Sequence, residues 1–337
     1  MMERKTIDFI GKRKIFFIIP IIFLIATIVG TFVLGIDMSI EFKGGTMLTY
    51  SYEGTVDTNA IKSTVEGQGF GAVNVITGSA VNGTMETVQV SFSSSEGLTA
   101  DKQTELTNKL QETYKDNKLE LVNSQDVNPT SGLEFFLKCL VAVLFSFVLL
   151  VIYIAFRFKN IGGLSAGVFS LVALIHDIVM VYAVFVFCGF PIDANFMAVI
   201  LTILGNSINN TIVVYDRVRE NRNLYGSSMN LRELVNLSIT QSITRAINTT
   251  LTTAFAVITI CVVCAICGVT SIMTFAIPMA AGLVFGTYSS LCIAGPLWVL
   301  WQEKFGKKYS DKKGSKGEKK SKKNMASTQT DAKKLMV

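Results

Sequence analysis

The chain has 337 residues, half of them hydrophobic, and its mean hydropathy is +0.46. This composition excludes an ordinary soluble fold, and the length suffices for several membrane spans plus one domain. All six cysteines lie in or at the ends of apolar runs, which excludes a disulfide-stapled exported domain. We therefore expect an integral membrane protein of the α-helical class.

Six apolar runs are long enough to cross about 30 Å of hydrocarbon, a distance that takes about 20 helical residues. They lie at residues 14–35, 134–156, 162–187, 192–215, 246–267 and 270–301. The first is too long for the core of a signal peptide and lacks a good cleavage site, which favours an uncleaved anchor. The last contains Gly282, Gly286 and Pro296, so we expect a kink or a shorter span there.

The distribution of basic residues predicts the orientation, because short loops rich in Lys and Arg stay cytoplasmic. Basic residues gather in residues 1–13, after the second and fourth spans, and in residues 302–337, which carry twelve lysines against four acids. Both termini are therefore expected in the cytoplasm. The basic end is expected to be a disordered tail that serves topology or weak electrostatic binding of anionic lipid or ribosomal RNA, with no specific nucleic-acid site.

Residues 36–132, between the first two spans, are expected outside the cytoplasm and carry a net charge of −7. Their pattern predicts a strand running to Tyr52, then helix 57–67, strands 72–77 and 87–92, helix 99–114 and strand 119–127. The order β-α-β-β-α-β is that of an α+β ferredoxin-like domain. It has no His or Cys, so we expect a binding or handling surface rather than a catalytic site.

Gly44, Gly45 and Thr46 interrupt a strand-like pattern where the chain leaves the first span. The glycine pair could belong to a phosphate-binding loop, but no GKS or GKT ending and helix follow. A bend that starts the sheet is the favoured interpretation.

The remaining five runs predict a helical bundle over residues 133–301, and polar residues mark its third span. His176 is the chain's single histidine, and Asp177 follows it inside the apolar run. An ionised Asp at that depth is costly, so Asp177 should be protonated, paired or hydrated. The alternatives left open are an ion-carrying group and a buried polar link between helices, with His176 as hydrogen-bond partner.

The fourth span contains three asparagines. Asn206, Asn209 and Asn210 share one predicted helix face with Val213, and we expect that face to meet protein or a hydrated cavity rather than lipid. Residues 216–237 are expected to form a charged cytoplasmic connection.

In the fifth span, Arg245, Asn248 and Thr252 form a second polar stripe. Arg245 either extends to the membrane surface or reaches the asparagines. The cysteines at 261, 264 and 267 lack a fourth metal ligand, so neither a metal nor a cofactor is predicted.

These motifs together resemble the SecD/SecF family, specifically its SecF members, a branch of the resistance-nodulation-division superfamily. The resemblance rests on MSIEFKGGT at 38–46, the His176-Asp177 pair, GNSINNTIVVYDRVREN at 205–221 and QSITRAINTTLTT at 241–253, and it runs from about residue 7 to 305. It implies half of a resistance-nodulation-division type bundle in the bacterial inner or plasma membrane.

The resemblance also implies a non-enzymatic function. The chain would pair with SecD, associate with the SecYEG channel, and use a proton or sodium gradient to help draw unfolded preproteins across the membrane. SecA and a YidC-type insertase would be functional partners. The rival interpretations are a stand-alone lipid or drug exporter of the same superfamily and a structural scaffold.

The family's working residues include an Arg that maps to Arg245 and an Asp whose position here is Asn210. An amide cannot titrate, so the coupling proton would be carried by Asp177, by an acid on SecD, or not by this half. We favour the acid on SecD, with Arg245 and the asparagine face around it.

Overall fold

The computed structural model describes residues 6–69, 73–79, 86–92, 99–226, 228–267 and 272–305. Its helices are α1 Arg13–Leu34, α2 Ile40–Lys43, α3 Thr58–Glu66, α4 Ala100–Thr113, α5 Pro129–Arg157, α6 Gly163–Cys188, α7 Ala194–Tyr225, α8 Leu231–Cys267, α9 Met273–Ser289 and α10 Gly295–Phe305. Its strands are β1 Gly45–Tyr52, β2 Val73–Ser79, β3 Glu86–Phe92 and β4 Glu120–Val127. The predicted tail beyond residue 305 lies outside the described residues.

The described chain contains six helical segments long and apolar enough to cross a membrane, as the sequence predicts: α1, α5, α6, α7, α8, and α9 continued by α10. The α7 and α9–α10 segments are the most buried of the six, whereas α1 and α5 expose most of their apolar side chains. At the start of α5, Lys138 forms an ion pair with Glu134, with Nζ 3.2 Å from Oε2.

The predicted cytoplasmic connection over residues 216–237 is largely helical. The α7 helix continues to Tyr225 and α8 begins at Leu231. Charged residues one helical turn apart form pairs on this extension, Arg219 with Asp216 and Arg217 with Glu220. Such pairs stabilise a helix, so the charged sequence extends α7 instead of ending it.

The sixth span is interrupted, as the sequence suggests, and the interruption takes the form of a π-helical segment. Residues Ser290–Ala294 form this segment between α9, which contains Pro278, and α10, whose second residue is Pro296. A proline has no N–H to donate to the preceding turn, which favours irregular hydrogen bonding just before it. Short π segments of this kind are frequent at functional sites.

The outer segment forms a four-stranded antiparallel sheet in the order β2-β3-β1-β4, with α3 and α4 inserted as predicted. Asp57 caps α3 by accepting a hydrogen bond from the Asn59 backbone N–H. The core of this domain is built from every second residue along the strands and from one face of each helix. It contains Leu48, Tyr50, Val88, Val90, Leu106 and Leu110, all fully buried. Residues 80–85, between β2 and β3, lie outside the described residues.

The bend into the sheet begins with a short helix where the sequence suggested extended chain. Residues Ile40–Lys43 are helical because Ser39 caps them, accepting from the Glu41 backbone N–H. The chain then turns at Gly44 and Gly45, whose φ angles are 76° and 139°. Thr46 donates a hydrogen bond from Oγ1 to Asp126 Oδ1 at 2.7 Å, which ties β1 to β4.

Candidate functional site

The centre of the helix bundle holds a fully buried carboxyl group, that of Asp177 on α6. Its Oδ2 accepts hydrogen bonds from Ser207 Oγ on α7 at 2.6 Å and from Ser289 Oγ on α9 at 2.9 Å. Its Oδ1 lies 3.0 Å from His176 Nδ1. Asp177 therefore joins three helices, and the described residues give it no lysine or arginine partner.

Hydroxyl groups extend this cluster into a network on the same side of α7. Ser290, in the π-helical segment, donates to the Ser207 carbonyl at 2.9 Å and accepts from Thr211 Oγ1 at 3.0 Å. Ser207 also contacts the Gly286 carbonyl. Gly286 allows α9 to approach Ser207 closely, since a Cβ at this position would lie 3.1 Å from the Ser207 Cβ.

Asn210 lies next to this network, one turn along α7 from Ser207. Its side chain is 4% exposed, and its Nδ2 donates to Thr287 Oγ1 at 3.1 Å. Thr287 in turn shares a hydrogen bond with Thr250 of α8 at 2.5 Å. Asn210 is thus an interior link between α7, α9 and α8.

The predicted asparagine face is therefore not one surface. Asn209 is exposed, Asn206 is half-buried, and only Asn210 points into the bundle. The Asn206 Nδ2 is buried yet has no hydrogen-bond partner in the described structure. The three asparagines lie where the buried side of α7 meets its exposed side, because the buried side is centred on Ser207 and Thr211.

The predicted stripe on α8 lies on the outside of the chain. Arg245, Asn248 and Thr252 are all exposed. In the part of the chain that the structure describes, Arg245 forms no hydrogen bond or ion pair, so it does not reach the asparagines. Neighbouring contacts, such as Arg217 Nε to Gln241 Oε1 at 2.6 Å, show that α7 and α8 run antiparallel here.

A second polar cluster, which the sequence did not predict, joins the N-terminal segment to the start of α8. The Asn236 Oδ1 accepts from the backbone N–H groups of Phe9 and Ile10, and its Nδ2 donates to Asp8. Hydrogen bonds from the Gly11 N–H and then from Asn236 hold the pKa of Asp8 below its ordinary value. Phe9 and Ile10 are buried, so this segment is part of the bundle.

The serines and threonines of the central network were missed because hydroxyl residues are common in apolar helices. One available signal was their position. Ser207 and Thr211 are four residues apart on α7, and Ser289 and Ser290 sit next to each other before Pro296. Among the described residues no group of three His, Cys, Asp or Glu side chains could hold a metal ion. The network's chemistry is that of hydroxyls, one carboxyl and one imidazole.

Comparisons with known proteins place these features in a family. A family model described as "Protein export membrane protein SecD/SecF, C-terminal" matches residues 105–304. The protein translocase subunit SecF of Petrotoga mobilis is 30% identical over 300 residues, which cover 87% of this chain and 95% of that protein. The protein translocase subunit SecDF of Bacillus subtilis is 32% identical over 305 residues, which cover 90% of this chain and 39% of that longer protein.

A solved structure agrees with these matches. The crystal structure of SecDF from Thermus thermophilus, a translocon-associated membrane protein, superposes with a TM-score of 0.75 at 28% identity. The match covers 90% of this chain and 40% of that one. Three findings agree: the sequence matches cover most of the chain, six helices of the described chain are long and apolar enough to cross a membrane, and the fold is shared. This chain therefore belongs to the SecD/SecF family of protein export membrane proteins.

Proposed function

We propose that this chain is the SecF-type accessory subunit of a bacterial Sec protein-export machinery. In this proposal it pairs with SecD and uses a proton or sodium gradient to promote preprotein translocation through SecYEG. It acts as a coupling and handling subunit and not as an enzyme. The observation that carries the proposal is a set of exposed polar side chains, those of Asn209, Arg245, Asn248 and Thr252, on two helices that are long and apolar enough to cross a membrane.

This surface needs a covering partner on energetic grounds. Charged and polar side chains within membrane segments normally face protein or water rather than lipid. The unpartnered Asn206 Nδ2, at the edge of the same surface, adds a donor that lacks an acceptor. The relatives named SecDF are longer single chains, and this chain spans about 40% of the solved one. We therefore assign the surface to a SecD subunit.

The ion path is proposed to run along this interface. Asn210 stands where the resemblance places an Asp in the family, but its side chain lies inside the bundle and donates a hydrogen bond to Thr287. The partner's acid would therefore be faced by Arg245, Asn209 and Asn206, which can donate hydrogen bonds to it. An arginine beside a carboxyl favours its charged form, so Arg245 would control when that acid releases or takes a proton.

The outer domain, residues 36–132, is proposed to be ferredoxin-like and to grip emerging chains outside the membrane. The sheet order β2-β3-β1-β4 with its two helices supports that class. The excess of Lys and Arg at the other ends of the spans supports cytoplasmic termini. SecA and a YidC-type insertase would meet the complex only functionally, and the lysine-rich tail would contact anionic lipid.

The test replaces Arg245 with Met in cells that depend on this subunit. Arg245→Met is expected to abolish gradient-dependent stimulation of export while leaving co-purification with SecD intact. The control is Arg219→Met, which removes an arginine already paired with Asp216 on the α7 extension and should leave export normal. Normal export by Arg245→Met, or purification of this chain as a homodimer free of SecD, would contradict the proposal.

A further inference from the structure

We propose that His176 and Asp177 form a proton-binding site that belongs to this chain alone, in which a proton taken up at His176 Nε2 moves the Nδ1 proton to Asp177 Oδ1. The site is separate from the interface acid proposed above. It lies on the opposite side of α7 from the exposed Asn209, within the buried network. Its existence does not depend on pairing with SecD.

The first argument is burial without a counter-charge. Asp177 is 0% exposed and the described residues offer it no lysine or arginine. A lone carboxylate in such a place is unfavourable unless it is hydrogen-bonded or takes up a proton. Among the described residues, His176 is the one titratable group in hydrogen-bond contact with it, at 3.0 Å.

The second argument is that the contacts fit both proton states. In the unloaded state, neutral His176 donates from Nδ1 to Oδ1, and Ser207 and Ser289 donate to Oδ2, so the carboxylate has three donors. One proton then binds at His176 Nε2, and the Nδ1 proton moves to Oδ1. The product is a neutral carboxylic acid beside the other imidazole tautomer. The pair's charge changes from −1 to 0, and the hydrogen bond between the two side chains is kept.

The third argument is access. The His176 side chain is 12% exposed, so the imidazole is the part of the pair that reaches the chain's surface. On α9, Tyr288 faces the imidazole with ring centroids 6.4 Å apart. The Tyr288 hydroxyl donates a hydrogen bond to the Phe16 carbonyl of α1. Beyond Tyr288 the π-helical segment contributes Cys292, while α7 contributes only the hydroxyl of Ser207. None of these neighbours carries a charge near neutral pH.

Loading the site would change the packing of two helices. Hydrogen bonds to an ionised acceptor are roughly twice as strong as those to a neutral one. Proton binding therefore weakens the attachment of Ser207 on α7 and Ser289 at the end of α9, next to the π-helical segment. Proton binding at this site therefore weakens the packing of α7, the helix that also carries the asparagines.

The single histidine makes the test direct. The full chain, purified and placed in lipid bilayers with isotope-labelled histidine, gives nitrogen NMR signals from one imidazole. As the pH is lowered from alkaline to acid, the signals should report a change of the imidazole from the Nδ1–H to the Nε2–H tautomer. In Asp177→Asn that transition should disappear or take the form of an ordinary isolated imidazole. Signals that stay constant from acid to alkaline pH in the unmodified chain would overturn the proposal.

A milder variant covers the case in which Asp177→Asn does not fold. Ser207→Ala removes one donor that stabilises the unloaded carboxylate, so the pair should bind its proton about tenfold more tightly. The matched control is Thr202→Ala, since the Thr202 hydroxyl is exposed and bonds only to Ala198 of its own helix. An identical transition in Ser207→Ala and Thr202→Ala would also contradict the proposal. Because SecD is absent from this experiment, its outcome is independent of the Arg245 test.

Discussion

Gly44 is the position at which a single methyl group should do the most damage to the link between the outer domain and the membrane helices. Its φ of 76° is unfavourable for any residue with a side chain, at about 1 to 2 kcal/mol. A Cβ would also lie 2.3 Å from Pro129 Cα and 2.5 Å from Pro129 N, at the start of α5. Both are backbone atoms, which cannot rotate away as a flexible side chain could, so overpacking adds about 1 to 3 kcal/mol.

Gly35 provides a matched control. Its φ is 78°, yet a Cβ there would meet no atom within 4 Å. Gly35→Ala should therefore show the conformational cost alone, and Gly44→Ala that cost plus the clash with α5. Thermal unfolding of the two purified variants in one detergent should separate their midpoints by about 2 to 12 °C. Equal losses for the two variants would refute the close approach of Gly44 to Pro129 as the reason for the glycine.

Two further predictions concern single hydrogen bonds. Thr46→Val removes the bond to Asp126 and should lower the free energy of unfolding by about 0.5 to 1.5 kcal/mol, whereas Thr49→Val, on the same strand, should be nearly neutral. Chemical denaturation of the two variants tests this, and an equal effect would contradict it. For Asp8, the lowered pKa means that the carboxylate stabilises the N-terminal segment above the ordinary aspartate range, about pH 4, and that this stabilisation is lost as the pH falls through the lower native value. The protection of the amides of residues 6–12 against exchange should therefore fall at acid pH and, in Asp8→Ala, already at neutral pH; unchanged protection in the variant would show that Asp8 does not hold the segment.

The sequence predicts most of the fold because the membrane helices and the strands have different hydrophobic patterns, and these occur in separate parts of the chain. Apolar runs of span length identify the membrane helices, and alternation in the outer segment identifies β2, β3 and β4 to within a residue or two. The ends of the helices are less predictable. The continuation of α7 to Tyr225 is accompanied by contacts such as that of Arg219 with Asp216, which length and hydropathy do not register.

The site is less predictable because helical spacing does not say which side of a helix is buried. Asn209 and Asn210 are adjacent in sequence, yet one faces outward and the other bonds to Thr287. The difference arises from the neighbours of α7, and these are set by tertiary packing. Asp177 was identified by its cost in hydrocarbon, but its partners Ser207 and Ser289 lie 30 and 112 residues away in sequence.

The position of α7 relates these polar groups to the outer domain. At its first residue, the Ala194 N–H donates to Glu41 of the segment that enters the sheet, and the preceding Ile192 exchanges backbone hydrogen bonds with residues 37 and 39. Further along, Ser207 and Asn210 attach the same helix to the buried network, while Asn209 faces outward. A helix is stiff along its axis because each residue is hydrogen-bonded to the next turn. A displacement of the outer segment that moves the start of α7 must therefore also move the groups around Asp177 and the surface assigned to SecD.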